Sequence, residues 1–329
     1  MPNFSVMPLK IFCKKEYSLK MKKHIYILSC ENTGGIYHYL FNDGNFELVE
    51  KTPLDCPMYA IVRDNKMYVI LRETDEVTRF GGIMSFDIDK NGKLVNESEI
   101  QSTEGIVPCH LEVTEDGAYV VNYLSGNITK IGEKTVTHSG KGINPKRQEA
   151  PHTHFVSRLP DENRLACVDL GVDKIYFYDA DLNETGFVKL PDGCGPRHLC
   201  FDKGYIYCVS ELSNEVFVIK DGEIISKCSD RYTFGSTAAA IRKCGDCIYI
   251  SVRGADVISR FKIDGDTLIF MESTACGGSF PRDFDIVGDH IICTNEKGNS
   301  VTLLELKDGK PIPTDIRLEI GSPLCVVVL

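Results

Sequence analysis

Histidine, arginine and glutamate side chains recur in short motifs through the second half of this chain. The central members of this group are His152, His154, Arg197, Glu211 and Arg253. Arginine binds carboxylate or phosphate through paired hydrogen bonds, and histidine exchanges protons near neutral pH. A carboxylate orients such groups or accepts a proton. The combination predicts acid–base chemistry on an anionic substrate, and we interpret these five residues as catalytic.

Further polar side chains stand at equivalent points of the sequence, at the start of one short strand, at the end of the next, or in the loop 141–150. We expect these residues to bind the substrate: Arg147, His198, Arg282, Asn295 and Glu296.

A metal site is the alternative use of the histidines. One residue separates His152 from His154, which places both on one face of an extended strand. Together with Glu211 they would supply three ligands. The neighbouring arginines disfavour a dication, so we expect no metal ion and no other cofactor.

The motifs fall at fixed points of a unit that occurs seven times. Each unit opens with a proline or small residue, at intervals of 41 to 51 residues. The openings are Pro57, Pro108, Pro151, Pro196, Thr237, Pro281 and Pro323. A second strand rich in β-branched and aromatic residues follows, and two further strands complete the unit. This period predicts an all-β fold, a seven-bladed β-propeller with four antiparallel strands per blade.

The two ends of the sequence complement each other. The repeats begin with a second strand at His24 and end with an opening strand over Pro323–Leu329. We therefore expect the N- and C-terminal strands to pair and close the ring. Residues 21–329 would form a single propeller domain, preceded by an N-terminal extension, residues 1–20.

The propeller architecture predicts where the polar residues meet. The first strand of each blade lines the central channel, and the second runs antiparallel beside it. The start of the first and the end of the second therefore lie on the same face. The predicted site residues should converge around one opening of the channel.

Composition limits the partners. The formal net charge of −10 argues against nucleic acid and anionic membranes, and no apolar run is long enough to span a bilayer. Most of the 14 cysteines lie in apolar strands, where reduced thiols pack as small hydrophobic groups, so we expect a cytoplasmic protein. Cys244 and Cys247 form a lone C-x-x-C, which we interpret as a hairpin turn rather than a zinc half-site. We expect a monomer or homodimer.

Five motifs resemble the seven-bladed propeller lactonase family, which includes propeller-type 6-phosphogluconolactonases and the carboxymuconate lactonizing enzymes. They are Arg147-Gln-Glu-Ala-Pro-His-Thr-His154, Gly195-Pro-Arg-His-Leu199, Ser210-Glu-Leu-Ser-Asn214, Ser251-Val-Arg-Gly254 and Phe280-Pro-Arg-Asp-Phe284. Gly34-Gly-Ile-Tyr-His-Tyr39 is similar to the first blade of that family. The resemblance runs from about residue 24 to the end.

The resemblance implies a catalytic cluster at the positions that the repeat selects. It consists of His152 or His154, with Arg197, Glu211 and Arg253. Two departures from the family pattern are visible. Blade six opens at Thr237 without a proline, and Val252 stands where the family commonly has asparagine. Both changes would alter the pocket and the choice of substrate.

The resemblance also implies an activity for the whole chain, the hydrolysis of a small anionic sugar lactone, 6-phospho-D-glucono-1,5-lactone. In this hypothesis a neutral histidine activates water, an arginine stabilises the oxyanion, and Arg147, His198 and Arg282 hold the phosphate. Two alternatives remain open. One is a muconate-type cycloisomerase that forms a lactone, and the other is a non-enzymatic propeller that binds a ligand or a protein.

Overall fold

Seven four-stranded antiparallel sheets make up the computed structural model, which describes residues 22–160, 163–232 and 235–329. The predicted extension, residues 1–20, lies outside the described residues. The innermost strand of each sheet contacts the innermost strands of the sheets before and after it, and these contacts form a closed circle. The all-β, seven-bladed propeller predicted from the period is confirmed.

Blades 1 to 4 take up the first half of the chain. Blade 1 consists of β1 (Lys23–Ser29), β2 (Gly35–Asn42), β3 (Asn45–Pro53) and the last strand, β29 (Pro323–Val328). Blade 2 consists of β4 (Pro57–Arg63), β5 (Lys66–Leu71), β6 (Gly82–Ile88) and β7 (Leu94–Val95), and β8 (Gln101–Ser102) also pairs with β6. Blade 3 consists of β9 (Pro108–Thr114), β10 (Gly117–Asn122), β11 (Asn127–Lys130) and β12 (Lys134–Thr137). Blade 4 consists of β13 (Thr153–Arg158), β14 (Leu165–Asp169), β15 (Lys174–Tyr178) and β16 (Glu184–Lys189).

Blades 5 to 7 follow with the same strand order. Blade 5 consists of β17 (Pro196–Asp202), β18 (Tyr205–Ser210), β19 (Glu215–Lys220) and β20 (Glu223–Ser229). Blade 6 consists of β21 (Thr237–Cys244), β22 (Cys247–Arg253), β23 (Val257–Asp264) and β24 (Thr267–Ala275). Blade 7 consists of β25 (Pro281–Val287), β26 (His290–Asn295), β27 (Ser300–Lys307) and β28 (Lys310–Glu319).

Packing between neighbouring blades explains why the second strands are apolar on both faces. Along β22, Ile248, Ile250 and Val252 pack in one cluster with blade 5. Cys247 and Tyr249 point the other way and pack with blade 7. Because successive side chains of a strand point to opposite faces, a strand covered on both sides needs a continuous apolar run.

The last strand closes the ring, as the complementary chain ends predict. Strand β29 pairs antiparallel with β1, so that Ile27 lies opposite Val326 and Tyr26 opposite Val327. Ile27 and Val326 both belong to the core cluster between blades 7 and 1. The closure therefore combines a hydrogen-bonded ladder with buried apolar surface.

A β-bulge interrupts each of the seven innermost strands at the same place. The pairing with the second strand shifts by one residue just after each strand opens. The shift leaves the bulge residues without a direct partner on the second strand. In blades 1 to 7 these are, in turn, Leu324, Met58, Cys109, His154, Arg197, the pair Ala239 and Ala240, and Arg282. An extra residue in one strand redirects its side chain. Each blade therefore presents one side chain at this level of the channel.

The C-x-x-C motif is a tight hairpin, as the sequence predicts. Cys244 ends β21 and pairs directly with Cys247, which begins β22. Gly245 in the turn has a φ of 58°. Every cysteine in the described part of the chain carries a free thiol. Among residues 22–160, 163–232 and 235–329, no helix has the length and apolar character needed to cross a membrane.

We expect Ile27→Ala to reduce the free energy of unfolding by about 2–5 kcal/mol, because the substitution leaves a cavity in the blade 7–blade 1 core. Ile225→Ala is the matched control, since Ile225 is 39% exposed on an outer strand. The control should cost less than about 1 kcal/mol. Urea unfolding of both variants measures the difference. Equal losses of unfolding free energy in the two variants would mean that the core at the ring closure contributes no more to stability than an exposed outer strand.

Candidate active site

The bulge residues of six blades line a small cavity of about 10 Å³, room for about one water molecule. Ala239 and Ala240, at the bulge of blade 6, are not part of this lining. The side chains of Leu324, Met58 and Cys109 line one part of the cavity, and those of His154, Arg197 and Arg282 line another. Tyr59, His198 and Asp283, each directly after a bulge residue, complete the lining. The cavity is therefore apolar toward blades 1 to 3 and polar toward blades 4, 5 and 7. Of the ten predicted site residues, His154, Arg197, His198 and Arg282 line this cavity.

Glu211 is the centre of the charged part of the site. It directly follows β18 and is only 3% exposed. Its Oε2 accepts hydrogen bonds from Arg197 Nε at 3.1 Å and lies 2.8 Å from Arg253 Nη2. Its Oε1 accepts a short hydrogen bond from Arg147 Nη2. One buried carboxylate thus binds three guanidinium groups, which the fold brings from blade 5, blade 6 and the loop before blade 4.

The protonation states follow from burial and from these neighbours. Burial alone would raise the pKa of the Glu211 carboxyl, but Arg253, Arg197 and Arg147 together outweigh it and hold that pKa well below its usual range. Burial and the nearby Arg253 lower the pKa of Arg197 to about 9. The cluster is therefore ionised at pH 7, with three positive charges against one negative charge.

The changed opening of blade 6 leaves room for this cluster. Arg197 Nη1 donates to the carbonyl of Ala239 at 2.8 Å. Arg253 donates to the carbonyls of Thr237 at 3.3 Å and Ala238 at 3.2 Å. Small side chains here let two guanidinium groups reach the backbone of β21. The missing proline-led motif is thus replaced by main-chain acceptors.

Buried polar residues fix the loops that carry the arginines. Asp173 accepts hydrogen bonds from the main-chain nitrogens of Gly193 and Gly195 at 2.8 Å each, just before Arg197. The same carboxylate accepts from Gln148 Nε2 at 2.7 Å, just after Arg147. A single side chain of blade 4 therefore positions two of the three arginines.

His152 is held away from free solvent, at 3% exposure. Its Nδ1 lies 3.0 Å from the carbonyl oxygen of Tyr123, and its Nε2 lies 3.2 Å from Glu149 Oε1. Its ring stacks on that of Tyr123, with centroids 4.4 Å apart and an interplanar angle of 10°. Both nitrogens are engaged, so the structure assigns His152 to positioning Tyr123 rather than to the cavity itself.

His154 and His198 lie deeper, where both line the cavity. Burial and the charge of Arg197 set the pKa of each imidazole well below its usual range, so both rings are neutral at pH 7. His198 Nε2 lies 3.1 Å from Arg197 Nη1 and accepts its hydrogen bond. His198 is therefore a neutral support beneath Arg197 and brings no positive charge for the predicted phosphate.

The three predicted binding residues of blade 7 lie in different surroundings. Arg282 lines the cavity and pairs with Glu296 at 3.1 Å, with both side chains about one-quarter exposed. Asn295 is fully buried, and its Nδ2 donates to Thr302 Oγ1 at 2.9 Å. Its Oδ1 accepts from Cys276. The substrate-binding role predicted for Asn295 is corrected to a structural one, because its amide is used inside blade 7.

The three-ligand metal site considered for His152, His154 and Glu211 does not form. Both oxygens of Glu211 bind guanidinium groups. Within the three described ranges, no cluster of three His, Cys, Asp or Glu side chains has the spacing to hold a metal ion.

The family model for "Lactonase, 7-bladed beta-propeller" matches residues 24–328. The chain belongs to this lactonase family. The 6-phosphogluconolactonase of Bacillus subtilis (strain 168) is 31% identical, and the alignment covers 87% of this chain and 93% of that protein. The family membership agrees with the motifs that carry the active-site cluster.

Solved structures share the propeller. A putative 6-phosphogluconolactonase from Bacteroides fragilis has a TM-score of 0.86 at 23% identity, covering 95% of this chain and 99% of its own. A periplasmic gluconolactonase from Pseudomonas aeruginosa has a TM-score of 0.85 at 21% identity, covering 94% and 99%. At these identities the two likenesses show the common fold alone.

Three residues outside the ten predicted catalytic and substrate-binding residues also hold this site together. Glu149 and Tyr123 flank His152, and Asp173 fixes the arginine loops. Tyr123 carries a readable signal, because it follows the end of a second strand, as Glu211 does. Asp173 carries none, since its partners, the Gln148 side chain and the main-chain nitrogens of Gly193 and Gly195, lie about 20 or more residues away in the sequence.

We expect Glu211→Gln to destabilise the protein by about 3–5 kcal/mol at pH 7, because three guanidinium groups would lose their buried counter-charge. The folded-state pKa of Glu211 is depressed, so its contribution is complete above about pH 5 and declines as the pH falls through the folded-state value. The difference from wild type should therefore be smaller at pH 3 than at pH 7 in urea unfolding.

Glu296→Gln is the matched control for that experiment, because it removes a carboxylate from a part-exposed arginine pair. It should cost about 1 kcal/mol or less. A Glu211→Gln loss that did not shrink in acid would contradict the assignment of an ionised, arginine-bound carboxylate.

Proposed function

We propose that this protein hydrolyses a sugar lactone, 6-phospho-D-glucono-1,5-lactone, to 6-phosphogluconate. The observation that carries the proposal is Arg197. Its side chain lines the cavity, while Glu211, the carbonyl of Ala239 and His198 fix its guanidinium from the other sides. A cation held rigidly in a partly apolar cavity is suited to stabilise the oxyanion that forms when water attacks a lactone carbonyl.

His154 is the residue best placed to activate that water. It occupies the bulge next to that of Arg197, lines the same cavity, and is neutral at pH 7. Its Nδ1 is buried without a hydrogen-bond partner among the described residues. A neutral imidazole beside the oxyanion site can take one proton from water as the new C–O bond forms.

The charge balance supports an anionic substrate. Arg147, Arg197 and Arg253 carry three positive charges against the one negative charge of Glu211. The charge of Arg282, at the cavity, is paired with Glu296. Because the protein as a whole is acidic, with a net charge of −10, the site is a local exception. Membership of the lactonase family and this local positive charge together favour a phosphorylated sugar lactone over a neutral one as the substrate.

The test measures lactone hydrolysis above the spontaneous rate, with and without a chelator. We expect turnover that survives chelation, and a loss of about 100-fold or more in kcat for His154→Gln. His290→Gln, on the second strand of blade 7, is the control and should retain activity. Lactone formation from a muconate without lactone hydrolysis would replace the proposal by the cycloisomerase alternative. Binding of the lactone without turnover would favour a non-enzymatic propeller.

A second experiment addresses the phosphate. Arg282→Met removes the part-exposed cation of blade 7 and should lower kcat/KM for 6-phosphogluconolactone about 10- to 100-fold, the loss of one or two charge-assisted hydrogen bonds. The same variant should hydrolyse unphosphorylated glucono-1,5-lactone as the wild type does. Equal losses on both substrates would show that Arg282 does not recognise the phosphate.

A further inference from the structure

Tyr123 occupies the position in blade 3 that Glu211 occupies in blade 5. Each directly follows the last residue of a second strand, Asn122 or Ser210, and those residues pair with the proline that opens the first strand. Both side chains therefore start at the same level of the site. Arg147 Nη2 joins them, because it contacts Glu211 Oε1 and lies 3.3 Å from the Tyr123 hydroxyl.

The ring of Tyr123 is fixed on both sides. His152 stacks on one face, and the ring of His154 meets it at 77°, with centroids 5.6 Å apart. His152 Nδ1 also holds the carbonyl of the same tyrosine at 3.0 Å. The phenol thus has a defined place beside the histidine that lines the cavity.

The hydroxyl group is arranged as a proton donor. A guanidinium has no lone pair, so Arg147 can only donate to the Tyr123 oxygen, and the phenolic hydrogen remains free for another acceptor. Burial raises the pKa of the phenol, while Arg147 acts against that rise. The phenol therefore keeps its proton at pH 7, and Arg147 would stabilise the phenolate left after the proton is given up.

Lactone hydrolysis requires such a donor. When the tetrahedral intermediate collapses, the ring oxygen leaves as an alkoxide, which is a poor leaving group unless it is protonated. His154 is assigned to the attacking water, and the arginines do not release protons. Tyr123 is a neutral O–H group that accepts a hydrogen bond from Arg147 and whose ring contacts that of His154.

We propose that Tyr123 is the general acid that protonates the ring oxygen as the lactone opens. This inference rests on the proposed lactone hydrolysis. Water gives one proton to His154 and its oxygen to the carbonyl carbon. The C–O ring bond then breaks, and its electron pair takes the proton of Tyr123 to form the hydroxyl group of the product. The imidazolium proton restores the phenol, and the proton of the product carboxylic acid passes to solvent.

Tyr123→Phe tests this role, because it removes one oxygen and keeps the ring between His152 and His154. We expect kcat on glucono-1,5-lactone or its 6-phosphate to fall about 100-fold, with little change in KM. Tyr119→Phe is the matched control in the same blade, since its hydroxyl donates to the carbonyl of Ala180, away from the site. It should retain full activity.

The leaving group separates acid catalysis from a structural role. An aryl lactone that the wild type accepts expels a phenolate, which leaves without protonation, so the loss in Tyr123→Phe should be at least about tenfold smaller on that substrate. Equal losses on both lactones, or full activity of Tyr123→Phe, would overturn the assignment. If the wild type hydrolyses no lactone, the proposed function fails instead, and the two failures are therefore distinct.

Discussion

One buried carboxylate, Glu211, holds the active site together. Three guanidinium groups surround it, and each comes from a different part of the ring: Arg197 from blade 5, Arg253 from blade 6, and Arg147 from the loop before blade 4. Removing an ion from water costs several kcal/mol, so this arrangement forms only if the scaffold holds all partners in place. The closing pair of strands, the packing between blades and the buried Asp173 all serve that requirement. The remaining positive charge is what an anionic substrate would meet.

The bulge of the innermost strand turns a symmetric scaffold into an asymmetric site. Every blade offers one bulge position to the channel, but the residue at that position differs from blade to blade. Arginine or histidine there creates reactive groups, as with His154 and Arg197. Small residues create space, as with Ala239, whose carbonyl then becomes an acceptor for a neighbouring arginine. Variation at seven equivalent positions changes the chemistry without changing the core that packs between blades.

The sequence predicts the fold well because hydrophobic alternation and a period in the forties directly describe a blade. It also predicts where in the repeat the candidate site residues fall, since strand starts and strand ends must share one face. It does not predict that in blades 2, 5 and 7 two successive side chains, the bulge residue and the next one, both line the cavity. A single extra residue at the bulge places Arg197 and His154 in the cavity lining. Asn295, at the end of the second strand of blade 7, is instead used inside its blade. Nothing in the local sequence distinguishes a bulge from a regular pair at that point.

The apolar part of the cavity has a role in the chemistry too. Leu324, Met58 and Cys109 form the apolar part of the cavity lining, and His154, Arg197 and Arg282 form the polar part. Hydrogen bonds and charges act more strongly where the surroundings are poorly polarisable. Under the proposed function, the fixed guanidinium of Arg197 would stabilise a developing oxyanion more than it would in open solvent. Six of the seven bulge positions thus supply one apolar and one polar group to a single cavity, and the closed ring of blades holds the two groups together.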